Sequence, residues 1–285
     1  MLGESFNQFM VESYLSSTSI GGGLTAVRKC RAHDKGSFYS SFFQLSIGIE
    51  RFFKIIFILN HMIENNLEKP DFRTLKKFSH NIAELHKNCS SYGASHLPNL
   101  EWELNWQQNL ILEMLSEFAD ASRYYNLDKI VKGKKEVKDP LAQWNEIINS
   151  CFRKHITDSR KQKLERELNL WADKYKAYGY TWNRGLDGAI LSQIDEYILS
   201  WKIINVSPYI VFEIIDMLQP YYYLISKFKD DIDNIEHSKG IREPLVPYLH
   251  EIFVFLLVHK KLALSRKTWS FVLDPRYSDS RCILS

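Results

Sequence analysis

Glycine and proline are scarce in this chain, 12 and 8 among 285 residues. So few turn formers argue against an all-β protein, which needs a turn every few residues, and the composition is too apolar for disorder. Cysteine is scarcer still. Cys30, Cys89, Cys151 and Cys282 lie far apart and form no C-x-x-C pair, which argues against a disulfide framework or a zinc knuckle and fits a reducing compartment. The chain contains no G-x-G-x-x-G, G-x-x-x-x-G-K-[ST], G-x-S-x-G or H-E-x-x-H. Those absences remove the usual assignments to nucleotide, hydrolase and zincin chemistry, and with them any expected metal or cofactor. Gly21-Gly22-Gly23 lacks the Lys-Ser/Thr that follows in a phosphate loop and reads as a hinge. Residues 1–6 lack the basic and apolar regions of a secretory signal. The most apolar runs, residues 52–59 and 252–258, fall well short of the roughly 18 residues of a membrane span. The expectation is a soluble, cytoplasmic protein with no transmembrane segment.

What the chain has in quantity is hydrophobic and aromatic mass, 45% and 14% of residues, enough for a sizeable core. The formal net charge is only +3, yet residues 129–176 hold 13 Lys/Arg against 7 Asp/Glu. With Trp144, Trp171 and Tyr175 nearby, that stretch reads either as an RNA-backbone surface with stacking rings or as solvated helix faces with the rings turned inward.

Helical periodicity runs through nearly the whole chain and predicts an all-α fold. Residues 16–23, rich in Ser and Gly, read as a flexible loop. Phe42, Leu45, Ile49, Phe52, Phe53, Ile56 and Leu59 mark a central helix over about 40–60, on which Glu50, Arg51 and Lys54 stand out as the few polar residues, with Glu50 and Lys54 four apart. Pro70-Asp71 suits the start of a second helix, with Leu75, Phe78, Ile82 and Leu85 as its core stripe and Arg73, His80 and Glu84 on the opposite side. His86, at the edge of that stripe, reads as a core histidine. A third helix is predicted over about 100–125, carrying Trp102, Trp106, Leu110, Met114 and Phe118. Charge, Gly and Pro break the pattern at residues 131–140, which divides the chain into 1–130 and a C-terminal helical region, 131–285. Further helices are expected at about 141–156, 160–178, 187–203, 208–228 and 244–264, with Pro208 as the first residue of one and Pro220 as its stop or kink. Residues 269–273 suit one short strand.

Three segments carry a resemblance. Ser46-Ile-Gly-Ile-Glu50-Arg51-Phe-Phe-Lys54 resembles the first core helix of HEPN domains. Phe78-Ser-His80-Asn-Ile-Ala-Glu84-Leu-His86 resembles their His-[Asp/Asn]-Leu-x-x-Leu helix, and Arg123-Tyr124 their Arg-Tyr element, with Asn126 just beyond. The resemblance covers roughly residues 38–130. It implies an antiparallel HEPN-like helical bundle followed by further helices, a homodimer, and a metal-independent endoribonuclease or RNA-binding protein of a toxin or antiphage system. It also implies an Arg-x4-6-His motif in which His is the acid/base group at the RNA 2′-hydroxyl and Arg stabilises the phosphate. Arg73 with His80 has that spacing, as does Arg28 with His33. Residues 52–59 look too apolar for a small bundle to cover, which also points to a dimer. The rival expectation is a non-catalytic helical module that docks a protein partner, for which Glu50, Arg51, Lys54, Arg123 and Asn126 would be salt bridges and clasps between helices. The final Cys282-Ile-Leu-Ser285 has the form of a farnesylation signal.

Overall fold

The computed structural model describes residues 3–131 and 137–269. It is all-α, with 74% of the described residues helical and 4% in strand. The chain opens with α1, Glu4–Lys29, and turns back through a short connection into α2, Lys35–Glu64. These two helices form an antiparallel pair in very close contact. The Ser16 hydroxyl donates to the Gly48 carbonyl at 2.8 Å, and Gly23 is buried against Leu45 of α2, while Ser17 and Gly21 are buried on the side that faces Ile252 and Trp269. The Ser/Gly-rich stretch 16–23, predicted as a loop, is thus the small-residue face of a helix. A Cβ at Gly48 would lie 2.7 Å from the Ile20 amide nitrogen, and one at Gly23 would lie 2.6 Å from Leu45 Cγ. Composition alone reads as a loop here because the same residues that loosen a backbone also let two helix axes approach.

The second helix expected from the sequence is two. The short α3, Phe72–Lys76, ends in a turn where Ser79 has φ 47°, and α4, Ile82–His96, restarts from an Asn81 cap whose side chain accepts from Glu84 N. Arg73, His80 and Glu84 therefore do not share one helix. Next, α5, Trp106–Asp120, begins at an Asn105 capping box, six residues later than expected. Trp102 stays in the preceding loop, where its indole N–H bonds the Leu97 carbonyl, and Trp106 faces solvent. A 3₁₀ turn at Ser122–Tyr124 leads into α6, Tyr125–Ile130.

Beyond residues 132–136, α7, Pro140–His155, starts with Asp139 as cap and Pro140 in its first turn, and α8, Asp158–Tyr175, follows. A hairpin that the periodicity did not predict pairs β1, Tyr180–Arg184, antiparallel with β2, Ile190–Ser192. Helix α9, Gln193–Ser238, then runs 46 residues straight through Pro208 and Pro220, where two helices with a break were expected. At Pro208 the missing N–H would orphan the Ile204 carbonyl, but the Ser207 hydroxyl bonds it at 3.3 Å. By length and composition α9 could cross a membrane. In this fold it is a core helix, burying Ile210, Ile214, Leu218, Leu224 and Phe228 against α2, α4, α5, α7 and the segments after it. The last predicted helix is a 3₁₀ stretch, Leu249–Leu257, and a short α10, Lys260–Ser265. Trp269 is buried, and the strand suggested at 269–273 otherwise falls outside the described residues, as does Cys282.

The core is one cluster that takes residues from both sides of the 131–140 segment. Phe42 on α2 meets Phe118 of α5 at 5.5 Å and Trp144 of α7 at 5.0 Å, while Phe52 meets Phe253 at 4.7 Å and Phe53 meets Tyr221 at 5.0 Å. The apolar end of α2 is covered within the chain: Phe52, Phe53, Ile56 and Leu59 are fully buried. That surface needs no second copy to cover it, because the long α9 and the 249–257 segment, which the sequence does not place, do so.

Candidate functional site

The polar residues of α2 meet the turn between α3 and α4. Glu50, almost buried, accepts from Lys54 Nζ at 2.6 Å, the helical i,i+4 spacing acting within one helix. The same carboxylate lies 3.1 Å from His80 Nδ1. Lys54 Nζ also donates to the Ser79 carbonyl at 3.0 Å, so the left-handed turn at Ser79 is tied to α2 directly beside His80. The His80 side chain is 53% exposed against 12% for Glu50. The imidazole thus stands at the surface with one nitrogen committed to a carboxylate. That bond favours the tautomer with its proton on Nδ1 and the lone pair on Nε2.

The other sequence candidates are dispersed. Arg73 is exposed on α3 and makes no side-chain hydrogen bond or ion pair among the described residues. Arg51 pairs with Glu12 of α1. Glu84 accepts from Asn88 one turn on, at 3.3 Å. Arg123 donates to the Ala119 carbonyl at 3.0 Å and lies over the Phe43 ring, and Asn126 donates to the Tyr39 hydroxyl at 2.8 Å, so both clasp the end of the first-half helices to α2. Arg28 binds the Arg266 carbonyl and the Ser207 hydroxyl, whereas His33 faces Glu196 at 3.4 Å. Each of that second pair is engaged elsewhere.

Within the basic stretch, Trp144 is core. Lys154 is paired with Glu213, Lys161 with Asp158, and Arg160 donates to Asn205. Trp171 packs its ring near Tyr175 and Tyr197, at 6.0 and 5.0 Å. Of the three stacking candidates, only Tyr175 is well exposed.

Sequence reasoning missed a buried ionic centre. Glu213, 1% exposed on α9, accepts from Lys154 Nζ at 2.8 Å, His155 Nε2 at 2.7 Å and Asn105 Nδ2 at 2.8 Å. Burial by itself opposes its ionisation, but the bonds from His155, Lys154 and Asn105 outweigh that and hold the carboxyl at about 2. Tyr209 stacks on His155 at 4.7 Å. One turn on, Asp216 accepts from Gln108 at 2.8 Å, and burial followed by the Glu213 charge raises its pKa. This centre locks α5, α7 and α9 together, and its polar groups are occupied by one another. The available signal was a lone Glu in the apolar run Val211-Phe-Glu213-Ile-Ile215.

His86 is buried as expected, with its ring 5.7 Å from Phe53 and 5.9 Å from Tyr221. Burial lowers its pKa to about 4, so it is neutral at pH 7. Its Nε2, however, has no hydrogen-bond partner among the described residues. No group of three or more His, Cys, Asp or Glu side chains among the described residues could hold a metal ion.

Comparison of the chain with family models, with curated proteins and with solved structures finds no match.

Proposed function

We propose that the surface around His80 cleaves RNA without a metal, within a HEPN-like protein of toxin or antiphage type. The observation that carries this reading is the 3.1 Å contact between His80 Nδ1 and Glu50 on an otherwise exposed ring. Such a carboxylate fixes the imidazole orientation and stabilises the cation formed when Nε2 accepts a proton. In the proposed step Nε2 takes the proton of a 2′-hydroxyl, the 2′-oxygen bonds to the adjacent phosphorus, and the bond from phosphorus to the 5′-oxygen breaks. Water protonates the leaving oxygen, giving a 2′,3′-cyclic phosphate and a 5′-hydroxyl, and the proton held on Nε2 passes to the hydroxide so formed. Arg73, without a side-chain partner among the described residues and exposed on the helix just before the His80 turn, is the cation assigned to the phosphate. Lys54 positions the turn through Ser79.

The second reading, a non-catalytic docking module, is favoured by a different observation. The β1–β2 hairpin presents Trp182 fully exposed, with Tyr180 at 81% and Ile190 at 59% exposure beside it, an apolar surface of the kind that proteins bind.

Incubation of the purified protein with a mixed RNA pool, with and without EDTA, separates the two. The ribonuclease reading expects cleavage that survives EDTA and falls by about 10²–10⁴ in His80→Ala, with Arg73→Ala also slower. The absence of any cleavage, or full activity in His80→Ala, leaves the docking module as the better account.

A further inference from the structure

A cavity of about 210 Å³ lies between α4, the loop around residue 102, the start of α5 and the middle of α9. It is separate from the His80 surface. Its inner residues include His86, Met217 and Tyr221, all buried, and its mouth carries Glu101, Glu103 and Tyr223, all exposed. Trp102 and Tyr221 line it with rings at 5.2 Å, edge to face.

The hydrogen-bonding groups of this lining lean toward acceptors. Its amide and indole side chains each already donate to the protein, and the buried Tyr221 hydroxyl, without a partner among the described residues, can accept as well as donate. Gln108 Nε2 bonds Asp216, Gln219 Nε2 bonds the Leu256 carbonyl, and Trp102 Nε1 bonds the Leu97 carbonyl. His86 Nε2 is buried with no partner among the described residues, and with the proton on Nδ1 it is an open acceptor. Pro220 has no N–H to donate to the Asp216 carbonyl one turn before it, and no side chain among the described residues takes that place as Ser207 does at Pro208. Three carboxylates, Glu101, Glu103 and Asp216, also line the space, and no Lys or Arg does.

We propose that this cavity binds a small organic cation, a primary ammonium carried on a single aromatic ring. An ammonium supplies three N–H donors and the charge that the lining lacks, aromatic faces attract cations, and neutral His86 accepts without repelling. An anion would meet carboxylates. A neutral ring of the same shape would leave the acceptors unserved. The volume is below the roughly 300–1,000 Å³ of clefts that hold drug-sized molecules, which limits the ligand to one ring.

Calorimetric titration of the full chain with 2-phenylethylamine, 2-phenylethanol and phenylacetate at neutral pH and low salt tests this. The amine is expected to saturate, at least tenfold more tightly than the alcohol, with no detectable binding of the acid. Asp216→Asn, and the mouth variant Glu101→Gln with Glu103→Gln, should each weaken the amine by roughly ten- to hundredfold. His86→Phe, which keeps the ring and removes the acceptor, should weaken it comparably, and if that variant fails to fold, the other two decide. The proposal is overturned if the amine does not saturate at millimolar concentrations, if the alcohol or the acid binds as well, or if the folded variants bind like the parent. RNA cleavage does not enter this measurement, so either proposal can fail alone.

Discussion

Replacing Gly48 by alanine sets two effects against each other on α2. Intrinsic helix propensity favours alanine over glycine by about 1 kcal/mol in a helix interior. Against this, the new Cβ would lie 2.7 Å from the Ile20 amide nitrogen, 2.8 Å from Ile20 Cγ1 and 3.0 Å from Ser19 Cβ, where carbon contacts sit at roughly 3.5–4.0 Å. The nearest atom is backbone, so a rotamer change cannot relieve the clash, and α1 must back away from α2. Overpacking of this kind costs about 1–3 kcal/mol. The same displacement lengthens the buried Ser16 to Gly48 hydrogen bond of 2.8 Å, worth about 1 kcal/mol. The net expectation is a loss of about 1–3 kcal/mol, or about 2–4 °C in Tm per kcal/mol, read by urea and thermal unfolding followed by circular dichroism. Gly22→Ala supplies the control, since its new Cβ meets only the far end of the Gln44 side chain; that chain can swing aside and leave the propensity gain. The reasoning is refuted if Gly48→Ala is as stable as the parent, or if Gly22→Ala is the more damaging of the two.

Glu213→Gln should destabilise by about 3 kcal/mol, because it strips the charge from a buried cluster and leaves Lys154 and His155 facing an amide. Denaturant midpoints at pH 7 measure it. The Glu213 carboxyl is lowered from 4.5 to about 2 in the folded protein, so its contribution is complete above pH 4.5 and fades as pH falls toward 2, and the variant should lose that part of the acid sensitivity. His86 works in a higher window. Its pKa falls from 6.5 to about 4 on folding, so the unfolded chain takes up a proton first and stability declines as pH drops from 6.5 to 4. The decline is on the order of 3 kcal/mol, and a pH series on His86→Phe should show it flattened. Trp182→Ala should shift stability by less than about 0.5 kcal/mol, since the ring is fully exposed on the hairpin; a larger loss in thermal melts would mean that the hairpin packs where it stands open here.

The helical class and the central position of α2 are legible from spacing alone, since Phe42, Leu45, Ile49, Phe52, Phe53 and Ile56 all reach the core. Two kinds of error share a physical origin in tertiary contact. Gly21, Gly22, Gly23, Pro208 and Pro220 read locally as breaks, yet each lies inside a helix: close packing favours the glycines, the Ser207 hydroxyl replaces the bond lost at Pro208, and at Pro220 the rest of a long buried helix carries the chain through. The dimer surface on residues 52–59 fails as an argument for the same reason, as cover came from segments almost two hundred residues away. At the candidate site, Glu50 and Lys54 follow from i,i+4 geometry, but the approach of His80 depends on the left-handed Ser79 turn, which nothing in the apolar stripe of Leu75, Phe78, Ile82 and Leu85 announces. Glu213 and its partners come from α5, α7 and α9, and no window of sequence contains them together.

The bonds that close residues 252–269 over α1 carry a consequence for synthesis. Ser17 donates to the Ile252 carbonyl, Arg28 to the Arg266 carbonyl, and Trp269 N–H to Thr25. Helix α1 therefore waits for residues translated 235 to 244 positions later before its inner face is sealed. Until then the face that carries Ser17 and Gly21 is open to other chains and to water. A nascent protein arrested before residue 252 should bind chaperones and be cut readily within α1, and resistance to protease should arrive in one step when the closing segment emerges.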